Sequence, residues 1–206
     1  MSFWNNRRKS QAQFATIHDA AEAGDLAAVQ AFVRGEKNPD VQAPSGATAL
    51  HIASARGYLD VVKLLVESGS EIDFLIEEGG TPLMAAAAGL RPLIVEFLLT
   101  KGAQPNKKGH DGRFPLVCAF QPAVIAVSDQ VKTIRLLVEY GADVNVCTDS
   151  GITPLMNAAW FGNREAAEEL LRLGAEATLK NANGKTAATL AFERGHDSLA
   201  QLLARP

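Results

Sequence analysis

"GATALHIASARGYLDVVKLLVESGSEID", residues 46–73, carries the pattern from which the rest of the chain is read. Thr48 stands two places after the opening glycine, and an alanine-rich run then closes on Gly57. A longer apolar run, "LDVVKLLVE", follows and stops at Gly69. Threonine is a favoured helix N-cap because its hydroxyl accepts a bond from a free backbone N–H. Alanine allows close helix packing, and glycine supplies the left-handed residue that ends a helix. The stretch therefore predicts helix, turn, helix and loop.

The same phrase recurs along the chain. Opening glycines fall at Gly46, Gly79, Gly112, Gly151 and Gly184, spaced 33, 33, 39 and 33 residues apart. They head "GATALHIA", "GGTPLMAA", "GRFPLVCA", "GITPLMNA" and "GKTAATLA". Proline after threonine suits the first helical position. Second helical stretches carry Leu65-Val66, Leu98-Leu99, Leu137-Val138 and Leu170-Leu171 at one place, which predicts a continuous stripe between stacked units. Glycines at 69, 102, 141 and 174 are placed to end those helices. A weaker copy, "IHDAAEAGD", precedes Gly46, with His18 aligned to His51 and Gly24 to Gly57. The units are 13–45, 46–78, 79–111, 112–150, 151–183 and a shortened 184–206.

A period near 33 is the mark of stacked helix-turn-helix units. On these residues, "GITPLMNAA…LLRLGAEA" and the stretch 46–73 above all, the chain resembles the ankyrin repeat family over residues 13–206. The resemblance implies an all-α solenoid of stacked helix-turn-helix units joined by β-hairpin-like loops. It implies one domain over 13–206, preceded by a flexible segment at 1–12. The first unit lacks the opening Gly and Thr-Pro, and the last has Ala187 in place of proline. Atypical ends suit capping units that face water on one side.

Composition narrows the function classes. A net charge of −3 argues against nucleic-acid and anionic-membrane binding, which usually show a basic excess. No apolar run approaches the ~20 residues of a membrane span. "RRK" at 7–9 lacks the apolar run that would make it an export signal. Cys118 and Cys147 have no metal-type spacing and read as reduced thiols of a cytoplasmic protein. His18, His51 and His196 fall on repeat positions, and "NGKT" at 183–186 lacks the glycine and strand of a phosphate loop. The expectation is a non-enzymatic chain that needs no metal or cofactor and acts as a monomer.

The resemblance also implies a protein-binding concave face, made of loop tips and the exposed side of the first helices. The loop-tip row includes His110, Asp111, Arg113, Asp149, Ile152 and Lys185. Nine and ten places after each opening glycine the chain reads Ala55-Arg56, Ala88-Gly89, Gln121-Pro122, Trp160-Phe161 and Glu193-Arg194. Trp-Phe is the pair that the repeat does not require, and exposed tryptophan is enriched at binding hot spots. The preceding unit carries six extra residues within 120–133, including the apolar 123–127, and Pro122 is expected to bend or end its first helix. Two readings of the aromatics stand: open to a partner, or tucked under that insertion. The candidate hot region is Trp160, Phe161, Arg113, Asp149 and Ile152. It is flanked by Arg56, Tyr58 and Lys185, with His110 and Asp111 in the same row. An adaptor or regulator that binds a partner protein is the leading reading. An inhibitor or immunity-type antidote blocking a toxin or enzyme is the alternative, and an enzyme with a pocket beside the insertion is a third.

Overall fold

The computed structural model describes residues 14–35, 38–77, 79–120 and 126–204. The segment expected to be flexible, 1–12, lies outside these residues, and so does "RRK" within it. Among the described residues there are twelve helices in six consecutive pairs. They are α1 (Ile17–Ala23) and α2 (Leu26–Gly35), α3 (Ala49–Arg56) and α4 (Leu59–Glu67), α5 (Pro82–Ala88) and α6 (Pro92–Thr100). The chain continues with α7 (Pro115–Cys118) and α8 (Val127–Glu139), α9 (Pro154–Phe161) and α10 (Arg164–Arg172), α11 (Ala187–Glu193) and α12 (Asp197–Leu203). First helices stack on first helices through the whole series, and second helices on second helices from α2 to α10.

The start signals act as their chemistry requires. Thr81, Thr153 and Thr186 accept the backbone N–H three residues on, from Met84, Met156 and Thr189. Thr16 forms a full capping box with Asp19. Thr48 instead bonds His51 Nδ1 at 2.8 Å. Phe114 stands at the same place in the fourth unit and has no oxygen to offer, so α7 starts without a side-chain cap.

Second helices stop at Gly69, Gly102, Gly141 and Gly174, with φ of 92°, 93°, 93° and 95°. The N–H after each glycine reaches back to Leu65, Leu98, Leu137 or Leu170, the bond of a Schellman motif. Those four leucines are fully buried. Of their neighbours, Leu99 is buried while Val66, Val138 and Leu171 are half-buried, so the apolar stripe is one residue deep for most of its length.

Loop tips close on short turns. Ala43 donates to the Ala47 carbonyl, Gly109 to Arg113, Thr148 to Ile152 and Asn181 to Lys185. An isolated bridge between Gln42 and Thr48 is the one pairing among the described residues, and none of them forms a strand. A side-chain ladder then ties unit to unit. Carboxylate oxygens of Asp40 and Asp73, and the amide oxygens of Asn106 and Asn145, accept the backbone N–H of Glu71, Gln104, Asp143 and Glu176. These partners lie 31, 31, 37 and 31 residues apart, so the six extra residues leave the loops in register.

The extra length is absorbed between the fourth pair of helices. Helix α7 has four residues and ends at Cys118, ahead of Pro122, which lies outside the described residues. Helix α8 has thirteen residues where α4, α6 and α10 have nine. Residues 121–125 also lie outside, and with them most of the apolar 123–127 expected to cover Trp160 or Phe161; Val127, the first residue of α8, is exposed.

This interruption explains an unusual residue. First helices end on left-handed glycines at Gly24, Gly57, Gly162 and Gly195, but the third ends on Leu90 at φ 52°. At Gly24, Gly57 and Gly162, though not at Gly195 of the last unit, a side chain of the next unit covers the glycine. A Cβ would lie 2.7 Å from the Tyr58 ring at Gly24, 2.9 Å from Arg91 Nε at Gly57 and 2.5 Å from His196 at Gly162. The fourth unit's counterpart, Gln130, is buried and donates Nε2 to the Ala119 carbonyl at 2.9 Å. Among the described residues that counterpart is turned to Ala119, and a leucine stands at position 90 at the cost of left-handed strain.

Two outcomes follow for unfolding experiments. Gly162→Ala should lower stability by ~1–2 kcal/mol, from left-handed strain and the collision with His196. Leu90→Gly should change it by less than ~1 kcal/mol, because relief of strain offsets lost burial and a freer unfolded chain. Glu169 supplies a pH test. Burial alone would push its carboxyl up, but Arg135 at 2.9 Å and Arg172 at 3.1 Å outweigh burial and hold it below the ordinary range. A depressed carboxyl stabilises above its unfolded pKa of ~4.3, and the gain is lost as pH falls through the lower folded value. Glu169→Gln should cost ~1–3 kcal/mol at neutral pH. Thermal melts of the two proteins should converge as pH falls below about 4.

Candidate functional site

Helix α9 buries Leu155, Met156, Ala158 and Ala159 against its neighbours. The alanines bring the helices close, so large side chains of this turn must leave the packed side. Asn157 and Trp160, three residues apart, share one face of α9. Trp160 is 36% exposed, while Phe161 is half-buried and packs on the core. Over the indole lies Arg194, the residue that follows α11, with its guanidinium carbon 4.1 Å from the ring centroid. A planar cation over an indole face is attracted by the ring's negative π surface.

Between the fifth and sixth units Asn157, Trp160 and Phe161 help line a groove of about 400 Å³, with Arg194 at its edge over the indole. Ile152, Met156, Asn157, Trp160 and Phe161 form one wall. Asn181, Asn183, Lys185 and Leu190 form the other. Asn181 Oδ1 accepts the N–H groups of Asn183 and Lys185 at 3.0 Å each, which holds the loop tip in shape. Lys185 Nζ meets Glu193 at 2.7 Å. The Ala182 N–H reaches the Ser150 carbonyl at 3.0 Å and locks the two loop tips together.

Four of the sequence-selected residues, Trp160, Phe161, Ile152 and Lys185, thus meet in one groove. Three others, Arg56, Asp111 and Arg113, line a second groove of about 440 Å³ toward the N-terminal units. There Arg56 pairs with Glu22 and Arg113 with Asp111. Burial would raise the Asp111 carboxyl, but the Arg113 guanidinium outweighs it and holds the group low. The Cys118 thiol in the same groove is pushed up to about 11 by burial, against the pull of Arg113, and stays protonated at neutral pH. Asp149 lies over Gly112 with its side chain 74% exposed and pairs with Lys108 at 2.5 Å. His110 is exposed on the loop tip beside Asp111. Tyr58 sits past the C-terminal end of α3, against Gly24, and belongs to the cover of the helix ends.

Arg194, Asn157 and Asn181 were not selected from the sequence. Arg194 occupies the slot of Phe161 one repeat later, and Asn157 sits three residues before Trp160, which were the available signals. A third groove, about 550 Å³, runs on the second-helix side past Leu90, Pro92, Leu93 and Leu136 and contains none of the selected residues. His51 is a structural group: burial lowers its pKa, and its ring bonds Thr48 Oγ1 and the Gly80 carbonyl. Among the described residues no group of three or more His, Cys, Asp or Glu is placed to hold a metal ion. No described helix is long and apolar enough to cross a membrane.

Comparison with known proteins agrees with this architecture. A family profile described as ankyrin repeats (3 copies) matches residues 17–109 and 123–206. Ankyrin repeat and SAM domain-containing protein 6 of Rattus norvegicus is 43% identical over 84 residues, covering 40% of this chain and 9% of the relative. Ankyrin repeat and SOCS box protein 16 of Homo sapiens is 30% identical over 188 residues, covering 89% of this chain and 41% of the relative. B-cell lymphoma 3 protein homolog of Mus musculus is 32% identical over 182 residues, covering 86% of this chain and 32% of the relative. The chain spans less than half the length of each. Stacked helix pairs, left-handed glycine stops and the profile match over most of the chain establish that it belongs to the ankyrin repeat family.

Proposed function

We propose that the chain is a non-enzymatic adaptor or regulator, monomeric and cytoplasmic, that binds one partner protein along the concave face of loop tips and first helices. The observation that carries this reading is the groove of about 400 Å³ holding Trp160. The repeat needs alanine, leucine and glycine; it does not need an indole 36% open to solvent beside Ile152, Phe161 and Lys185. Stacked units hold these side chains rigid before a partner arrives, which lowers the ordering cost of binding. Arg56, Asp111 and Arg113 extend the surface toward the N-terminal units, with Asp149 and His110 on loop tips of the same row and Tyr58 at the flank. The partner docks with its principal contact at Trp160, and the ion-paired arginines contribute less because their charges are already matched.

Trp160→Ala and the double change Trp160→Ala/Phe161→Ala test this in pull-downs from the source cell. A hot-spot tryptophan should cost ~2 kcal/mol or more, about a 30-fold loss of affinity, with the thermal midpoint of Trp160→Ala nearly unchanged. Full retention of the partner together with a lowered melting temperature would assign the aromatics to packing and overturn the reading.

A further inference from the structure

Arg194 is the cation at the groove edge, over Trp160, that no acid among the described residues neutralises. Arg56, Arg113, Arg135, Arg164 and Arg172 each pair with a carboxylate, and Arg91 donates to the Ala55 carbonyl. Arg194 pairs with no carboxylate among the described residues, and its side chain touches the Trp160 face. A guanidinium held by its carbon 4.1 Å from a ring centroid still has its N–H donors to offer, and a planar fork of donors can receive a carboxylate. Lys185 adds a second cation, shared with Glu193 at 2.7 Å. The groove edge therefore holds two cations against one carboxylate in a chain whose net charge is −3. Its floor is apolar, with Ile152, Met156 and Leu190. Beside the floor, the Asn157 and Asn183 amide groups make no side-chain hydrogen bond among the described residues and stand ready for a peptide backbone.

We propose that this groove takes an acidic segment of a partner protein. An Asp or Glu carboxylate is clamped by Arg194, and a bulky apolar side chain one or two residues away enters between Ile152, Met156 and Leu190. The inference rests on the groove being the partner site, as proposed above, and names the chemistry of what enters it. A nucleic-acid strand fits less well. The indole face on which a base would stack already carries Arg194.

The test uses the whole chain and a random dodecapeptide display library. Recovered peptides are synthesised with and without Asp→Asn or Glu→Gln at their acidic position. We expect recovered peptides to carry an acid next to Leu, Ile, Phe or Trp, and the amide replacement to weaken binding about tenfold on the native chain. On Arg194→Gln the same replacement should cost less than twofold, and Arg194→Lys should recover only part of the difference, because lysine lacks the stacked planar fork. Arg194 is exposed, so both variants should fold normally. If the amide peptides bind the native chain within twofold of the acidic ones while Trp160→Ala still weakens them, the acidic inference fails and the groove stands. If no recovered peptide is weakened by Trp160→Ala, both fail. Tighter binding of a twelve-nucleotide single strand than of any recovered peptide would overturn the inference in favour of nucleic acid.

Discussion

Neighbouring first helices approach so closely that a methyl group at Gly89 would sit 2.5 Å from the Ala55 carbonyl oxygen. The rest of the structure depends on that separation. It demands alanine and glycine on the facing sides of α3, α5 and α9, and sends the bulky apolar side chains to the second-helix side, where Leu65, Leu98, Leu137 and Leu170 are fully buried. It also limits where a large residue can sit beside the alanines of a first helix, although Leu50, Leu83 and Leu155 of those helices are buried elsewhere in the core. Trp160 cannot enter a layer packed through Ala158 and Ala159, so the indole stands in the open groove. The feature most suggestive of binding is a by-product of the constraint that makes the stack.

Two periodic devices keep the units in register. Asp40, Asp73, Asn106 and Asn145 bind backbone N–H groups of the following unit, and Tyr58, Arg91 and His196 cover the left-handed glycines of the preceding one. The six-residue insertion leaves the first device intact and interrupts the second. Gln130 turns to the Ala119 carbonyl, and Leu90 takes a backbone conformation held elsewhere by glycine. An irregularity in one unit thus has its counterpart in the unit before it, because each helix end is completed by its neighbour.

Charge is distributed in the same cross-unit manner. Arg56 reaches Glu22, Arg135 reaches Glu169 and Lys108 reaches Asp149, each over a unit boundary. Such pairs are partly exposed and add little individually, but they decide which cations remain for a ligand. Arg194, held by an aromatic face, differs from them in pairing with no acid among the described residues.

The repeat was legible in the chain because its determinants are local. A threonine hydroxyl reaches an N–H three residues away, and a left-handed glycine ends its own helix, so Thr81, Thr153, Gly69 and Gly174 could be read from spacing alone. Phe114 and Leu90 emerge as departures only in the folded chain, where the side chain equivalent to those that cover the other glycines is Gln130, forty residues after Leu90. The candidate site was half legible. Trp160, Phe161, Ile152 and Lys185 were selected and do share a groove, whereas Arg56, Asp111 and Arg113 belong to another. Arg194 lies 34 residues from Trp160, and periodicity says only that their helices are neighbours. Which side chain leans on which depends on the register between stacked units and on the rotamer each side chain finds there. The sequence by itself determined the helix pairs, their ends and their order; the tertiary structure alone decided that the indole carries an arginine and faces a groove, because that contact exists only across the boundary between two folded units.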